Sequence, residues 1–365
     1  MGLSSDELTD YERGLVSDHR IRVQVSILDL DYYPRGMASD VVLSGQVDFH
    51  TSEAVDRSCS LVLLDPDNAL GIDDGDPNVA SAAGARMVQV RYGVWSSRFP
   101  HWVDVPVFTG PITKPKRVGD ELHLTAHGYE SKLLGACSLN ARWPKGGTIT
   151  DVIRAILALG RVARMEIPDL PTRTRVDTVI GPTDSLWDRA QGWARALGWT
   201  LAFDGLGVAR LTPPRAASVW TFRGGDAGSL LGVPEVETDL TVMRNIVVVQ
   251  PEKGAPAVAR LPASHPQSYE NQRAWMREDI SAQVPDLKAA QALADAKLKE
   301  YEQAARSVQL NALPVPHLEP RDRVTVVTDQ WTWAGPVHQA TIPLVADGQM
   351  TIGHHGVVRR IRSSR

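Results

Sequence analysis

The segment RIRVQVSILDL, residues 20–30, indicates a β-rich fold because its apolar and polar residues alternate. All of its valines and isoleucines fall on one face of an extended chain, which is the pattern of a half-buried strand. Five more strand-like runs follow: VVLSGQVDFH, CSLVLLD, RMVQVRYGVW, VDVPVFTGPI and ELHLTAHGY. Turn residues separate these runs at the spacing of an antiparallel barrel or sandwich. We therefore predict a first β-barrel domain over residues 18–135.

Residues 1–17 form a separate N-terminal segment in this interpretation. Within it, residues 4–16 are predicted to form one short helix, with Ser4 or Ser5 as the N-cap and Gly14 as the stop. The start of the chain is polar and acidic, so we expect no secretory signal. The sequence has no apolar run of about 18 residues, so we expect no membrane anchor.

The pattern becomes helical after residue 135. GGTITDVIRAILALG predicts a helix that begins after Thr148 and ends at Gly160. PTDSLWDRAQGWARALG predicts a second helix, and WTLAFDGLGVARLTP predicts a hairpin that turns at residues 204–207. Together they predict a small α/β insertion domain over residues 136–235. Three tryptophans are expected in its core: Trp187, Trp193 and Trp199.

The remaining chain, residues 236–365, is predicted to be a second β domain. LTVMRNIVVVQ indicates a strand. Residues 251–285 are rich in Pro, Ala and Ser and look like a long connecting segment, and residues 286–306 form the longest predicted helix. Four strand-like runs end the chain: SVQLNAL, DRVTVVTD, WTWAGPVHQATIPL and GQMTIGHHGVVRR. The predicted fold class is α+β, mainly β, with two antiparallel β-barrel domains and a small inserted α/β domain.

Bulk composition excludes several classes of protein. The 365 residues carry a formal net charge of −4, which is unfavourable for a tight binder of duplex DNA. The only cysteines are Cys59 and Cys137, so a disulfide-stapled scaffold and a zinc ribbon are both excluded. So few cysteines suit a protein assembled in a reducing cytoplasm.

The acidic stretch DPDNALGIDDGD, residues 65–76, resembles a calcium loop at first sight. An EF-hand loop needs an oxygen ligand at position 5 and glycine at position 6, where this chain has Ala69 and Leu70. A solvated loop after a strand is the favoured interpretation, and a weak cation site is the alternative. The candidate ligands for that site are Asp65, Asp67, Asp73, Asp74 and Asp76.

No pattern of catalytic residues emerges from the sequence. His123 and His127 lie on a predicted strand, and the adjacent pair His354 and His355 would point to opposite faces of another. G-x-S-x-G and phosphate-loop motifs are absent, although spacing alone leaves a paired-carboxylate hydrolase open. We predict no enzyme activity, no catalytic residue and no cofactor.

Two basic clusters and one pair of tryptophans have other interpretations. KPKR, residues 114–117, is predicted to lie at a hairpin tip, and RRIRSSR, residues 359–365, is a charged tail. Trp331 and Trp333 share one strand face and could belong to the core or to an interface.

Four stretches, taken in order, resemble one family. They are VLSGQVDFHTSEAVDRSCSLVLLDPDNAL; VFTGPITKPKRVGDELHLTAHGYESKLL; TITDVIRAIL with DSLWDRAQGWARALGWTLAFDGLGVARLTP; and MRNIVVVQ with AQALADAKLKEYEQAARSVQLNALPVPHLEPRDRVTVV. The second is similar to a G-x-I step followed by G-Y/F-x-x-x-L, and the last ends in P-x-L-x-P-x-D-x-V. The chain therefore resembles, over residues 20–355, the tail-tip and baseplate hub proteins of phages, including the minor tail proteins of siphophages.

This resemblance implies a structural hub in the virion, assembled in the host cytoplasm. It implies a homotrimer whose two barrels per chain form a pseudo-sixfold ring between the hexameric tail tube and a threefold tip. Expected partners are distal tail and tube proteins, the tape measure protein and other tail-tip or receptor-binding proteins. Genomic DNA would pass through the lumen without sequence-specific binding. Because the chain stops soon after the hub, we expect no peptidoglycan-cleaving domain.

Two other functions remain open at this point. A phage-borne cell-wall or glycan hydrolase would use two of the many carboxylates. A carbohydrate-binding tail module would stack sugars on exposed tryptophans, for which the candidates are Trp95, Trp102, Trp331 and Trp333.

Overall fold

The structure of the chain is a computed structural model. It describes all residues except 1–10, 16–19, 52, 71, 73–84, 97–100, 138–139, 226–227, 252–253, 283–286, 305, 356 and 361–365.

Strands dominate the described part of the chain. They are β1 Ile21–Asp29, β2 Pro34–Met37, β3 Val42–His50, β4 Arg57–Leu64, β5 Arg86–Ser96, β6 His101–Val118, β7 Glu121–His127, β8 Ala141–Trp143, β9 Met165–Glu166, β10 Thr178–Ile180, β11 Thr200–Phe203, β12 Ala209–Thr212, β13 Trp220–Arg223, β14 Leu230–Thr238, β15 Ile246–Pro251, β16 Ala257–Arg260, β17 Arg277–Ala282, β18 Arg306–Ala312, β19 Arg323–Val327, β20 Trp331–Pro343, β21 Met350–His355 and β22 Val357–Arg360. Besides the helical residues 11–15, the helices are α1 Ile149–Leu159, α2 Leu186–Ala196, α3 Tyr269–Gln272 and α4 Leu287–Ala304, with 3-10 turns at Ser39–Val41 and Tyr129–Lys132.

One large sheet joins the two ends of the chain. Its main path runs β14-β18-β21-β20-β3-β4-β7-β6-β5-β1-β2, and β13, β19 and β22 attach beside β20 to make fourteen strands. The join is the antiparallel pair β3–β20, which runs from Gln46 opposite Pro343 to His50 opposite Gln339. No strand pairing in the described residues closes either segment into a barrel. The mainly β, largely antiparallel fold is thus confirmed.

The core of this sheet follows from the alternation seen in the sequence. Val25 and Ile27 of β1 are buried as predicted, and Phe49, Phe108 and Trp333 are buried in the same apolar cluster. Every strand-like run predicted in the first and last parts of the chain corresponds to a strand. Burying one face per strand is what a period-2 pattern encodes.

The N-terminal helix differs from its prediction. Residues 11–15 are helical, so the helix passes through Gly14, where a stop was predicted. A side chain at Gly14 would meet the backbone carbonyl of Trp95, so this glycine allows close packing. The predicted caps, Ser4 and Ser5, lie outside the described residues.

The middle of the chain forms a second apolar cluster around α1 and α2. The Thr148 side chain accepts a hydrogen bond from the Asp151 amide at the start of α1, and Gly160 ends that helix, as predicted. Trp187 is buried in this cluster, and Trp193 and Trp199 pack against it. The predicted hairpin is the pair β11–β12.

Residues 251–285, predicted to be a long connecting segment, instead contain a short helix and two strands, and the strands pack in a third apolar cluster. This range contains β16, α3 and β17; β15 lies between the two strands, antiparallel to β16 and parallel to β17. Helix α4 packs on this sheet through Ala290, Ala294 and Leu298. Local periodicity missed these strands because each is short and β17 pairs with a distant partner. The domain boundaries themselves remain a prediction.

Replacing either of two glycines, Gly205 or Gly192, by alanine should change the stability of the protein, in opposite directions. A Cβ on Gly205, in the β11–β12 turn, would overlap the carbonyl of Pro106 in β6, whereas a Cβ on Gly192 in α2 meets nothing within 4 Å. We expect Gly205→Ala to lower the free energy of unfolding by about 1–3 kcal/mol. Gly192→Ala should raise it by up to about 1 kcal/mol through helix propensity. Denaturant unfolding of both variants tests the pair, and changes of the same sign would contradict the close contact of this turn with β6.

Candidate functional site

The large sheet has one polar face that crosses the junction between the two ends of the chain. Side chains directly opposite each other in register lie on the same face of a sheet. One such row runs through five strands and consists of Asn311, Thr351, Thr341, Asp48 and Ser58. Further members of this face, called here the polar face, are Gln46, Ser60, Thr125, Gln309 and Gln339.

The ten members of the polar face named above carry a single charge. The charged residue is Asp48, and Gln46 Nε2 and Thr341 Oγ1 donate to its carboxylate at 2.9 and 2.6 Å. The remaining members carry hydroxyls and amides, which bind water without attracting ions strongly. A concave cleft of about 540 Å³ opens over this face. It is lined by Gln309 and Gln339 and also by three acidic residues, Asp48, Glu53 and Asp56.

Apart from Asp48, the charged residues of this face described here lie towards its two ends. Glu235 and Glu237 of β14 stand opposite Gln309 and Ser307, at one end of the sheet. At the other end, Lys114 and Lys116 of β6 stand opposite Thr125 and His123, and both lysines are exposed. The face therefore carries two glutamates at one end, Asp48 in the middle, and two lysines with Glu121 at the other end.

A buried ion network ties the sheet together behind the polar face. Arg57 is 3% exposed; its Nη1 donates to the Val107 carbonyl at 2.7 Å, and it forms an ion pair with Glu319. Asp56, the preceding residue, accepts from Arg321 Nη1 at 2.6 Å. The network therefore joins the start of β4 to the turn before β19.

Glu130 adds a carboxyl group to this network from the 3-10 turn after β7. Its Oε1 accepts from the Asp56 amide at 2.8 Å, and the side chain is almost wholly buried. Burial raises the pKa of Glu130 to about 7. Burial likewise raises the pKa of Asp322 to about 6, against the opposing effect of its ion pair with Arg215 at 2.7 Å.

The acidic loop differs from the predicted solvated turn at its first residue. Asp65 is 3% exposed, and its carboxylate accepts from Arg117 Nη2 at 2.9 Å and from the Leu70 amide at 3.4 Å. Arg117 Nη2 also donates to Asn68 at 2.8 Å, so this arginine holds the loop against β6. Asp67 is exposed. The other three candidates, Asp73, Asp74 and Asp76, lie outside the described residues, and the weak cation site stays a prediction.

The histidines and the described parts of the basic clusters noted in the sequence lie on strands of the large sheet. His123 Nε2 lies 3.0 Å from Glu121, and His127 Nδ1 lies 2.7 Å from Thr113 Oγ1. The side chains of His354 and His355 lie outside the description. KPKR lies in the last part of β6, directly before the hairpin turn, and the described part of the tail is β22.

The tryptophans proposed for sugar stacking are mostly covered. Trp333 is 2% exposed, while Trp331 at the strand end is 37% exposed. Trp95 and Trp102 pack edge to face with 5.3 Å between ring centroids, and Arg22 lies 4.9 Å from the Trp102 ring.

The described residues contain no group of three or more His, Cys, Asp or Glu side chains that could hold a metal ion. None of the helices described here is long and apolar enough to cross a membrane.

Comparisons with known proteins identify the fold. No protein-family model matches the sequence, and no curated protein matches it. The structure is similar to the tail protein from Neisseria meningitidis MC58, at 14% identity and a TM-score of 0.66, covering 92% of this chain and 97% of that one. It is also similar to the 43 kDa tail protein of prophage MuSo2 from Shewanella oneidensis, at 9% identity and a TM-score of 0.63, covering 93% and 98%.

A third likeness extends this set. Prophage tail protein gp18 from Listeria monocytogenes EGD-e matches at 9% identity and a TM-score of 0.52, covering 90% of this chain and 94% of that one. The fold shared over nearly the full length of all three chains is that of phage tail proteins, which confirms the fold resemblance seen in the sequence.

Proposed function

We propose that this chain is a structural, non-enzymatic hub of a bacteriophage tail tip. Three copies would form a ring that joins the hexameric tail tube to a threefold tip and lines the DNA exit channel. The observation that carries the proposal is the polar face, because it is long and concave, its central cleft is lined by no lysine or arginine among the described residues, and it crosses between strands from the two ends of the chain. The fold shared with phage tail proteins supports it.

The polar face has the chemistry that a DNA channel needs. Duplex DNA carries about one negative charge per 1.7 Å, so a basic wall would hold the phosphates and slow their passage. Hydroxyl and amide side chains bind water instead, and Asp48 is already bonded to its neighbours Gln46 and Thr341. Genomic DNA would therefore slide past a hydrated surface without sequence-specific contacts.

Two β segments per chain would give a trimer six similar units around its axis. The first segment would be a tube-like barrel over residues 18–135 and the second a barrel within residues 236–365, completed in the assembled ring. Their side-by-side arrangement across the β3–β20 junction supports this pseudo-sixfold arrangement. The proposed domain over residues 136–235 would then contact neighbouring tip proteins.

The expected binding partners follow from the proposed place of the ring between the tail tube and the tip. The ring would contact distal tail or tail tube proteins on one side, with the tape measure protein in its lumen during assembly. Other tail-tip or receptor-binding proteins would attach on the far side, and the protein would reside in the virion. Cryo-microscopy of tails containing the tagged chain should show a threefold ring at the tip. A chain that stays monomeric in native mass spectrometry, even alongside its tail proteins, would contradict the proposal.

The hydrolase alternative makes a different prediction. Purified protein should then degrade cell walls or polysaccharide, and one Asp or Glu substitution should abolish that turnover. The sugar-binding alternative predicts glycan-array binding that Trp331→Ala removes. Neither result is expected for a structural hub.

Lysines on the polar face should slow DNA release. In a phage carrying Gln46→Lys, Gln309→Lys and Gln339→Lys, three copies would present nine new cations to the phosphates. We expect release at low salt to slow by about tenfold or more, with recovery as salt rises. The matched control replaces the same residues with glutamate. Ejection followed by dye fluorescence tests this, and equal rates in both variants would contradict a channel-facing position.

A further inference from the structure

Among the open strand edges of the large sheet, two lie at opposite ends of its polar face. Strand β14 pairs with β18 and, among the described residues, with no other strand. Strand β6 pairs with β5 only from His101 to Pro111, so its last part, residues 113–118, pairs with β7 alone in the described structure. Each segment therefore presents a row of backbone N–H and C=O groups that another strand could pair with.

The two edges carry opposite charge. Glu235 and Glu237 lie on β14, whereas Lys114 and Lys116 lie on the open part of β6. No ion pair involves any of these four residues in the part of the chain that is described. Six strands lie between the two edges within one sheet, so the structure of a single copy keeps them apart.

Both edges also expose aliphatic side chains. Val233 and Val236 of β14 are 91% and 53% exposed. At the other end, Val118 of β6 and Leu64 of the nearby strand β4 are 49% and 42% exposed. Burial of such residues favours association, while the flanking charges select the partner and its orientation.

We propose that β14 of one copy lies beside residues 113–118 of a second copy and extends its sheet. The contact is head-to-tail, because different surfaces meet, and such contacts generate a closed ring when the rotation between copies closes. The polar face then continues from one copy to the next without interruption. This inference deepens the proposed function, and rests on its ring of copies, by naming the surfaces that join them.

Charge reversal on each edge tests the contact in the full-length protein. The edge variant carries Glu235→Lys and Glu237→Lys, the hairpin variant carries Lys114→Glu and Lys116→Glu, and the combined variant carries all four changes. Native mass spectrometry and light scattering report the oligomeric state over a range of protein and salt concentrations. A control with Lys288→Glu and Lys299→Glu changes the same charge on the exposed side of α4.

The expected results are specific to complementary edges. Each two-residue variant should need about a hundredfold more protein for half-assembly, because like charges then face each other. The combined variant should assemble like the wild type, and the α4 control should be unchanged. Unchanged assembly of both two-residue variants, failure of the folded combined variant to recover, or a wild type that is monomeric at all concentrations would each overturn the contact.

The proposed function is judged by a separate measurement. If the chain occupies the tail tip in cryo-microscopy while edge reversal leaves its assembly unchanged, this interface is wrong and the hub assignment stands. If the chain is absent from tails but its edges associate as described, the hub assignment is wrong and the interface stands.

Discussion

Arg57→Leu should lower the free energy of unfolding by about 3–5 kcal/mol, the cost of breaking a buried ion network. The guanidinium is 3% exposed and lies among the carboxyl groups of Asp56, Glu130 and Glu319. Leucine fills part of the space but leaves those carboxyls without their central cation. Equilibrium denaturation in urea, followed by tryptophan fluorescence, measures the loss.

The matched control is an arginine of the same charge on the surface. Arg142 is paired with Asp177, but its side chain is 72% exposed. Arg142→Leu should therefore change stability by no more than about 1 kcal/mol. Equal losses in the two variants would show that burial of Arg57 adds nothing, contrary to the network described above.

Glu130→Gln should remove a loss of stability that the wild type shows as pH rises. The folded pKa of Glu130 is about 7, whereas the unfolded value is about 4.3. A carboxyl with a raised folded pKa stabilises the protein fully below the unfolded value and loses that contribution as pH passes through the folded value. Between pH 4.5 and 8, we expect the wild type to lose about 3 kcal/mol relative to Glu130→Gln.

Comparing the two proteins isolates this carboxyl from other titrating groups. Burial lowers the pKa of His317 to about 4, so this histidine lowers the stability of the protein as pH falls below about 6.5. That effect is opposite in direction to the effect of Glu130. Since both proteins keep His317 and Asp322, their effects cancel in the difference. Glu270→Gln, an exposed position, provides the control and should follow the wild type. Parallel curves for the wild type and Glu130→Gln would show that Glu130 ionises normally in the fold.

Local sequence patterns predicted the helices and strands of this fold better than they predicted how the strands pair. The alternation in β1 and the capping residues Thr148 and Gly160 act within a few positions, so the sequence displays them directly. Strand β17 eluded prediction because its stability comes from parallel pairing with β15, which no local period reports. The barrel prediction depended on closure, which is a property of the whole sheet and not of any one strand.

The candidate functional surfaces were still harder to predict from the sequence. Arg57 and Glu319 lie far apart in the chain, and each looks like an ordinary surface charge until the fold brings them together. The polar face is spread over strands from both ends of the chain, so no contiguous motif exists to find. The acidic loop was conspicuous because its aspartates lie close together in the sequence. In the structure, however, Asp65 pairs with Arg117 and so stabilises the loop itself.

The β3–β20 junction has a consequence for how the protein is made. Gln46 and Pro343 pair across nearly the full length of the chain, so translation is almost complete before this pair can form. Sheets built on such distant contacts fold slowly, and nascent chains expose unpaired edges while they wait. We therefore expect the ribosome-bound N-terminal half to depend on chaperones. The continuous sheet would therefore be complete only after the chain leaves the ribosome.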